Sequence, residues 1–262
     1  MARHLIVPDT QIRPGVPTDH IEWASRYALE KRPDVIVILG DWADMASLSS
    51  YDVGKKSFEG RTYRNDILAA NDALQRFMAP ISADINRRKN KHRVRWNPRL
   101  IFCMGNHEDR INRAIETDRK LEGLISSDDL FFKQWGFEVY PFLEVATVDG
   151  VAYSHYFVSG IMGRPVTTAR ALLQKKYMSC IAGHQQGYDI ATAYRGDGTR
   201  ITAIIAGSFY EHDEGYLNPQ TNKHYRGLVM LNEVNNGEFD EMKVSMAYLR
   251  KKYGSKTEAK AA

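Results

Sequence analysis

The sequence predicts an α/β fold in which two β-sheets pack together as a sandwich flanked by helices. Three observations predict it. Short apolar strands alternate with amphipathic helices through the first half, and strands dominate the second half. No internal repeat and no Gly/Ser linker divides the chain, so residues 1–262 read as a single domain.

Leu5–Val7 is the first strand. Asp19-His20-Ile21-Glu22 has the spacing of a capping box, which predicts a helix toward Glu30 that Pro33 stops. Val35–Leu39 is a continuous, mostly β-branched run, as expected of a strand buried on both faces. Ile67, Leu74, Phe77, Met78, Ile81 and Ile85 recur at helical spacing and predict a helix over 65–88, kinked at Pro80. Leu100–Met104 is the third strand. A charged helix over 108–122 and a short helix over 128–135 follow. Strands are then expected at 142–148 and 151–156, a helix at 168–177, and strands at 179–182, 201–206, 227–234 and 242–249.

Composition narrows the class. Hydrophobic residues make up 43% and charged residues 26%, the proportions of a folded globular chain. No unbroken apolar run exceeds five residues, against the ~20 that a membrane span needs. Cys103 and Cys180 lie in apolar stretches and form no CxxC pair, which excludes a disulfide scaffold and points to the reducing cytoplasm. The net charge is +4, but residues 87–99 alone carry seven basic residues and no acid, and residues 250–262 carry a net +4. The rest of the chain is therefore acidic. The 87–99 run is the one segment with the composition for nucleic-acid contact, and the Lys-rich tail from about 254 is expected to be disordered.

Metal-ligand residue types recur just past the apolar strands. Asp9 follows the first, and Gly40-Asp41-Trp42-Ala43-Asp44 the second. Gly105-Asn106-His107-Glu108 follows the third, His155 ends Val-Ala-Tyr-Ser, and Gly183-His184-Gln185-Gln186 follows Ser-Cys-Ile-Ala. Ligands of α/β proteins gather at the carboxyl ends of strands, so these blocks are expected to converge. Singly, Asp41 would serve as well as a helix N-cap, and His155 and His184 as core histidines. The aromatics Trp42, Tyr51, Phe58 and Tyr63 after the Gly-Asp block, and Phe209, Tyr210 and His212 further on, are candidates for the walls of a cleft.

In order and spacing these blocks resemble the calcineurin-like metallophosphoesterase superfamily, and the general character is that of a phage-type member. The superfamily pattern is DxH, GDxxD, GNH(D/E), a lone His and GHxH. Here it reads Asp9-Thr-Gln11, Gly40-Asp41-Trp-Ala-Asp44, Gly105-Asn106-His107-Glu108, His155 and Gly183-His184-Gln-Gln186, spanning about two thirds of the chain. The resemblance implies two divalent metal ions, Mn²⁺ first, with Mg²⁺, Fe²⁺ or Zn²⁺ as alternatives. It implies that Asp41 bridges them, that Asn106, His155 and His184 complete one site, and that Asp9 serves the other. It makes His107 the acid that protonates the leaving oxygen and Asp44 the carboxylate that orients it. The attack on phosphorus is that of a metal-bound hydroxide.

The chain departs from the pattern at Gln11 and Gln186, where the superfamily has histidines. Both losses fall on the Asp9 site. A neutral amide oxygen is a hard, weak ligand, so Gln11 and Gln186 are expected to make that site a weak one that favours Mn²⁺ or Mg²⁺ over Zn²⁺. Phosphoprotein phosphatases of this superfamily carry Arg-Gly directly after GDxxD. Met45-Ala46 stands there instead, which favours phosphodiesters of nucleotide or nucleic-acid type. A phosphomonoesterase of small molecules or phosphoproteins, with Arg110 or Arg164 in place of that arginine, is the alternative, and a catalytically weak binding scaffold the second.

Overall fold

Strands built almost wholly of Val, Ile and Leu need apolar cover on both faces, and the fold supplies it. The computed structural model describes residues 1–51, 53–90, 96–213 and 224–254. In chain order its elements are β1 (Ala2–Val7), α1 (Asp19–Lys31), β2 (Val35–Ile38), α2 (Tyr63–Asn90), β3 (Arg99–Cys103), α3 (Asp109–Thr117) and β4 (Glu138–Tyr140). Then come β5 (Ala146–Val148), β6 (Val151–Ser154), β7 (Val158–Ser159), β8 (Arg164–Pro165), α4 (Ala169–Lys176) and β9 (Cys180–Ala182). The chain continues through β10 (Tyr188–Tyr194), β11 (Arg200–Ala206), β12 (Gly227–Asn235), β13 (Glu238–Ser245) and α5 (Met246–Tyr253).

Two sheets carry the architecture. One has the order β13-β12-β1-β2-β3-β4, the other β10-β11-β9-β6-β5. In the first, β1, β2, β3 and β4 run parallel. In the second, β6, β9 and β11 run parallel. Period-two alternation sorts their side chains. Val35, Val37 and Leu39 turn inward and meet Val151, Tyr153, Ile181 and Ile204 of the facing sheet. Ile36 and Ile38 turn outward against Ile21, Tyr27, Phe77 and Ile81 of α1 and α2. Ala152, Cys180 and Ala203 on the far side of the second sheet pack on Leu172 and Leu173 of α4. The result is the predicted two-sheet sandwich flanked by helices.

Several elements differ from expectation. Thr18, not Asp19, is the N-cap of α1 and makes no side-chain cap bond; Asp19 and Glu22 both sit in the first turn, where they complement the helix dipole. The helix α2 runs continuously through Pro80. In place of one helix at 128–135 there are two short 3₁₀ turns, Ser127–Asp129 and Lys133–Trp135. Between them Phe132 plugs into the core and stacks on Phe102 at 3.6 Å between centroids. Only Ala146–Val148 of the expected strand 142–148 forms, because the chain turns at Pro141 and Leu143 takes a φ of 70°. The expected strand 242–249 stops at Ser245, whose hydroxyl accepts from Tyr248 N and starts α5; Met246 and Leu249 then bury one helical face. The tail from 255 lies outside the described residues. Among the described residues no helix is long and apolar enough to cross a membrane.

Candidate metal centre

Parallel strands point their carboxyl ends the same way, so the loops after β1, β2 and β3 share one rim with those after β6, β9 and β11. Asp9, Asp41 and Asn106 come from the first sheet, and His155 and His184 from the second. The seam between them is bonded directly. His184 N donates to Asp9 Oδ1 at 3.0 Å, and Phe209 N, after β11, donates to the Asp9 carbonyl at 2.7 Å. All five ligand-type blocks of the sequence therefore meet in one place.

Ligand atoms of Asp41, His155 and His184 lie within 4.8 Å of one another. His155 is fully buried, and its Nδ1 donates to the Leu39 carbonyl at 2.8 Å. That bond fixes the ring and turns Nε2 toward Asn106 Oδ1 at 2.9 Å and Asp41 Oδ2 at 3.4 Å. Burial disfavours a charged His155, but the Asp41 and Asp9 carboxylates outweigh it and push its pKa up to about 9. His184 lies beside it, ring centroids 5.2 Å apart, and burial with the neighbouring His155 lowers its pKa to about 4.

The two aspartates are driven in opposite directions. Burial also opposes charge on Asp41, yet His107 and His155 hold its carboxyl well below the usual range. Asp9 is pushed up to about 7, by burial and by repulsion from Asp41. Asp9 Oδ2 is buried and has no hydrogen-bond partner among the described residues. A buried carboxylate oxygen without a partner, on a group repelled by a second carboxylate, is costly unless a cation joins them, so the donor set fits a divalent metal ion.

His107 stands to one side. Its Nδ1 lies 3.0 Å from Asp44 Oδ1 and 2.9 Å from the Asp44 carbonyl, both acceptors. Its Nε2 accepts from Arg110 Nη2 at 3.2 Å and is 3.7 Å from Asp41 Oδ2. Burial and Arg110 oppose a charged His107; Asp41 and Asp44 win, and its pKa is raised. Arg13 Nη1 also meets Asp44 Oδ2, at 3.1 Å, and the surrounding cations keep Asp44 low despite its burial.

The amide oxygens expected as metal ligands are differently placed: Gln11 turns its nitrogen to the site, and the Gln186 oxygen is taken by a tyrosine. Gln11 presents its amide nitrogen to Asp41 Oδ2 at 3.4 Å. Gln186 gives its amide oxygen to the Tyr210 hydroxyl at 2.9 Å. Gln11, Asp41, Met45, His184 and Gln186 all have positive φ, a left-handed backbone that non-glycine residues adopt at some strain. A Cβ at Gly105 would overlap Asp41 Oδ1, and one at Gly183 would overlap Asp9 Oδ1, which explains glycine at both turns.

Sequence reasoning missed Glu108 as a site residue and offered Arg110 only alongside Arg164, with no spacing to choose between them. Glu108 is fully buried. Its Oε2 accepts from Asp41 N at 2.9 Å and Gly105 N at 2.8 Å, and its Oε1 from Ala43 N at 2.8 Å. One carboxylate thus ties the second and third blocks together. The only signal was its place in Gly-Asn-His-Glu. Trp42 is no cleft wall: it is buried between Phe77 and Phe132 and donates to the Ala70 carbonyl at 3.1 Å. Tyr51 is exposed and lines a cavity beside Asn106. In the basic segment, Arg87 and Arg88 pair with Asp84 and Arg99 pairs with Glu138, while residues 91–95 lie outside the described residues.

Among solved structures the chain is similar to YfcE, a phosphoesterase from E. coli, with 12% identity and a TM-score of 0.39 over 93% of this chain and 100% of that one. No family model and no curated protein matches it. Likeness at that level leaves the site's own geometry to carry the function.

Proposed function

We propose that the chain is a calcineurin-like metallophosphoesterase that hydrolyses phosphodiesters of nucleotide or nucleic-acid type. One observation carries the reading. Asp9, Asp41, Asn106, His155 and His184 reach one rim from two sheets, the ligand atoms of Asp41, His155 and His184 lie within 4.8 Å of one another, Asp9 Oδ2 is buried with no hydrogen-bond partner among the described residues, and beside them lies a histidine, His107, that a carboxylate orients.

Asp41, Asn106, His155 and His184 would hold one divalent cation. Asp9 and Asp41 would hold a second, with help from Gln11 and Gln186. Mn²⁺ suits the oxygen-rich second set best. Bound cations supply Lewis acidity toward the phosphoryl oxygens and lower the pKa of the attacking water. The protein's own work is positional. Leu39 fixes the His155 ring, and Glu108 fixes the backbone that aims Asp41. Asp44 holds His107 Nδ1, so its Nε2 is the atom that passes a proton to the leaving oxygen. Arg110 now donates to that Nε2 and must turn to the substrate before Nε2 carries the proton. The engaged amides of Gln11 and Gln186 support a weak second cation site.

Arg110 also favours one rival. The arginine missing after Asp44 has a guanidinium substitute in space, which a phosphomonoester would use. Turnover of bis(p-nitrophenyl) phosphate against p-nitrophenyl phosphate, with Mn²⁺, separates the readings. A higher kcat/KM for the diester is expected. A higher value for the monoester selects the phosphomonoesterase, and no turnover of either with Mn²⁺, Mg²⁺, Fe²⁺ or Zn²⁺ selects the binding scaffold. The reading places the protein in the cytoplasm, where the buried thiols of Cys103 and Cys180 stay reduced. For a polymeric substrate the 87–99 segment would contact the backbone, and replacing Lys91, Arg93 and Arg95 would flatten the salt dependence of binding.

A further inference from the structure

We propose that the cavity beside Asn106 is a subsite for a second anionic group of the substrate, held by Arg113, with Arg110 between it and the metal centre. The proposal rests on the phosphodiesterase reading and narrows it: the preferred substrate carries another phosphate one sugar away from the scissile one.

The cavity encloses about 580 Å³, a size that accommodates a nucleotide, and Asn106 on its wall joins it to the metal centre. Its cationic groups lie on one face of α3, three residues apart. Arg110 is the inner one. Its side chain is 14% exposed, and it donates to the carbonyls of Asp44 at 2.7 Å and Met45 at 3.4 Å and to His107 Nε2. These three acceptors set the guanidinium plane and leave part of its five-donor fork for a ligand. Arg113 is the outer one, with a side chain 55% exposed. Its Nη2 donates to the Asn106 carbonyl at 2.7 Å, and its Nε sits 3.4 Å from Asp109 Oδ2, so it is anchored yet open to solvent. Leu48, Tyr51 and Ala114 give an apolar wall fit for a sugar or base, and Asp118 is the one acid on the lining.

Position assigns the roles. Arg110 touches His107 and the Asp44 carbonyl beside the metal centre, so it would serve the scissile phosphate. Arg113 is one helical turn further out, so an anion there is a different group from the scissile one. A lone phosphate has no use for it, whereas a chain of phosphates separated by sugars does.

Two p-nitrophenyl esters test this: p-nitrophenyl thymidine 5′-phosphate and the same ester bearing a 3′-phosphate. Wild type is expected to favour the 3′-phosphorylated ester by about tenfold in kcat/KM, the scale of one charge-assisted contact at a partly exposed site. The preference should fall toward unity in Arg113→Ala and return in part in Arg113→Lys, mostly through KM. Equal kcat/KM for the two esters in wild type would overturn the proposal. So would a preference that survives in Arg113→Ala. If neither ester nor bis(p-nitrophenyl) phosphate turns over, the phosphodiesterase reading fails by itself. Calorimetric binding of thymidine 3′,5′-bisphosphate against thymidine 5′-phosphate then tests the subsite alone. Tighter binding of the bisphosphate, lost in Arg113→Ala, supports it, and equal binding overturns it.

Discussion

Glu108→Gln is expected to destabilise the protein by about 2–3 kcal/mol and to loosen the metal centre with it. The wild-type carboxylate accepts three backbone N–H groups at 2.8–2.9 Å in a fully buried setting. A charge-assisted bond contributes about 1.5–3 kcal/mol and a neutral one about 0.5–1.5 kcal/mol. Glutamine keeps the shape but offers one oxygen. Turned toward Asp41 N and Gly105 N, it retains two bonds in neutral form and sets its NH₂ against Ala43 N–H. The lost bond and the weakened pair sum to about 3–4 kcal/mol. Relief of repulsion from Asp41, which together with burial raises the Glu108 pKa, offsets about 1 kcal/mol. Urea unfolding at pH 7.5 reads the difference as a lower midpoint at unchanged slope. Metal content after gel filtration should fall in parallel, because Asp41 N loses its anchor. A loss under about 0.5 kcal/mol would refute the clamp, since surface substitutions stay within that range.

Three further outcomes are expected. His107→Ala should lower kcat on an alkyl-leaving diester by ~10²–10⁴ and retain bound metal, as mass spectrometry of the purified variant would show; the loss should shrink for p-nitrophenyl esters, whose leaving oxygen needs no proton. Titration of Mn²⁺ into chelator-treated protein should give two separated binding steps, with full activity following the weaker one; two equally tight steps would contradict the assignment of Gln11 and Gln186 to a weak site. His20 is buried, and burial with His212 and Arg250 nearby lowers its pKa to about 3. The unfolded chain binds this proton below pH 6.5 and the folded one does not, so stability declines from pH 6.5 toward pH 3 by about 1.4 kcal/mol per unit. Denaturation of wild type against His20→Gln should show about 2 kcal/mol of extra loss in wild type between pH 7.5 and pH 5.

The rim of the site was legible because its logic is local. An apolar strand followed at once by a carboxylate, amide or imidazole is a pattern within ten residues, and it recurs five times, three of them with a glycine at the turn. Asp9, Asp41, Asn106, His107, His155 and His184 were found that way, and the structure brings them together. What escaped detection depends on distant contacts. Glu108 reads as a helix-start acid until Asp41 and Ala43 are folded onto it from 67 and 65 residues away. Arg110 is one of several arginines in a charged helix, and only the Asp44 carbonyl singles it out. The strand β10 has an exposed, polar-interrupted sequence whose partner, β11, supplies its order. The end of β13 was overrun because the unbroken apolar run Met246-Ala247-Tyr248-Leu249 is compatible with either period, and the Ser245 cap decides for helix.

The division of the candidate ligand set between two sheets would make a bound cation a rivet across the sandwich. Asp9 and His184 stand 175 residues apart, and each sheet alone holds only part of the set. Affinity for a cation would therefore exist only where the two sheets have docked, and binding would in turn clamp them, by about 2.7 kcal/mol at a hundredfold excess over Kd. Metal uptake during refolding would then be a late event that marks closure of the inter-sheet seam. A chelator would act first on the rim, raising amide exchange at the ends of β2, β6 and β9 together while the outer helical layer of α1 and α2 stays protected.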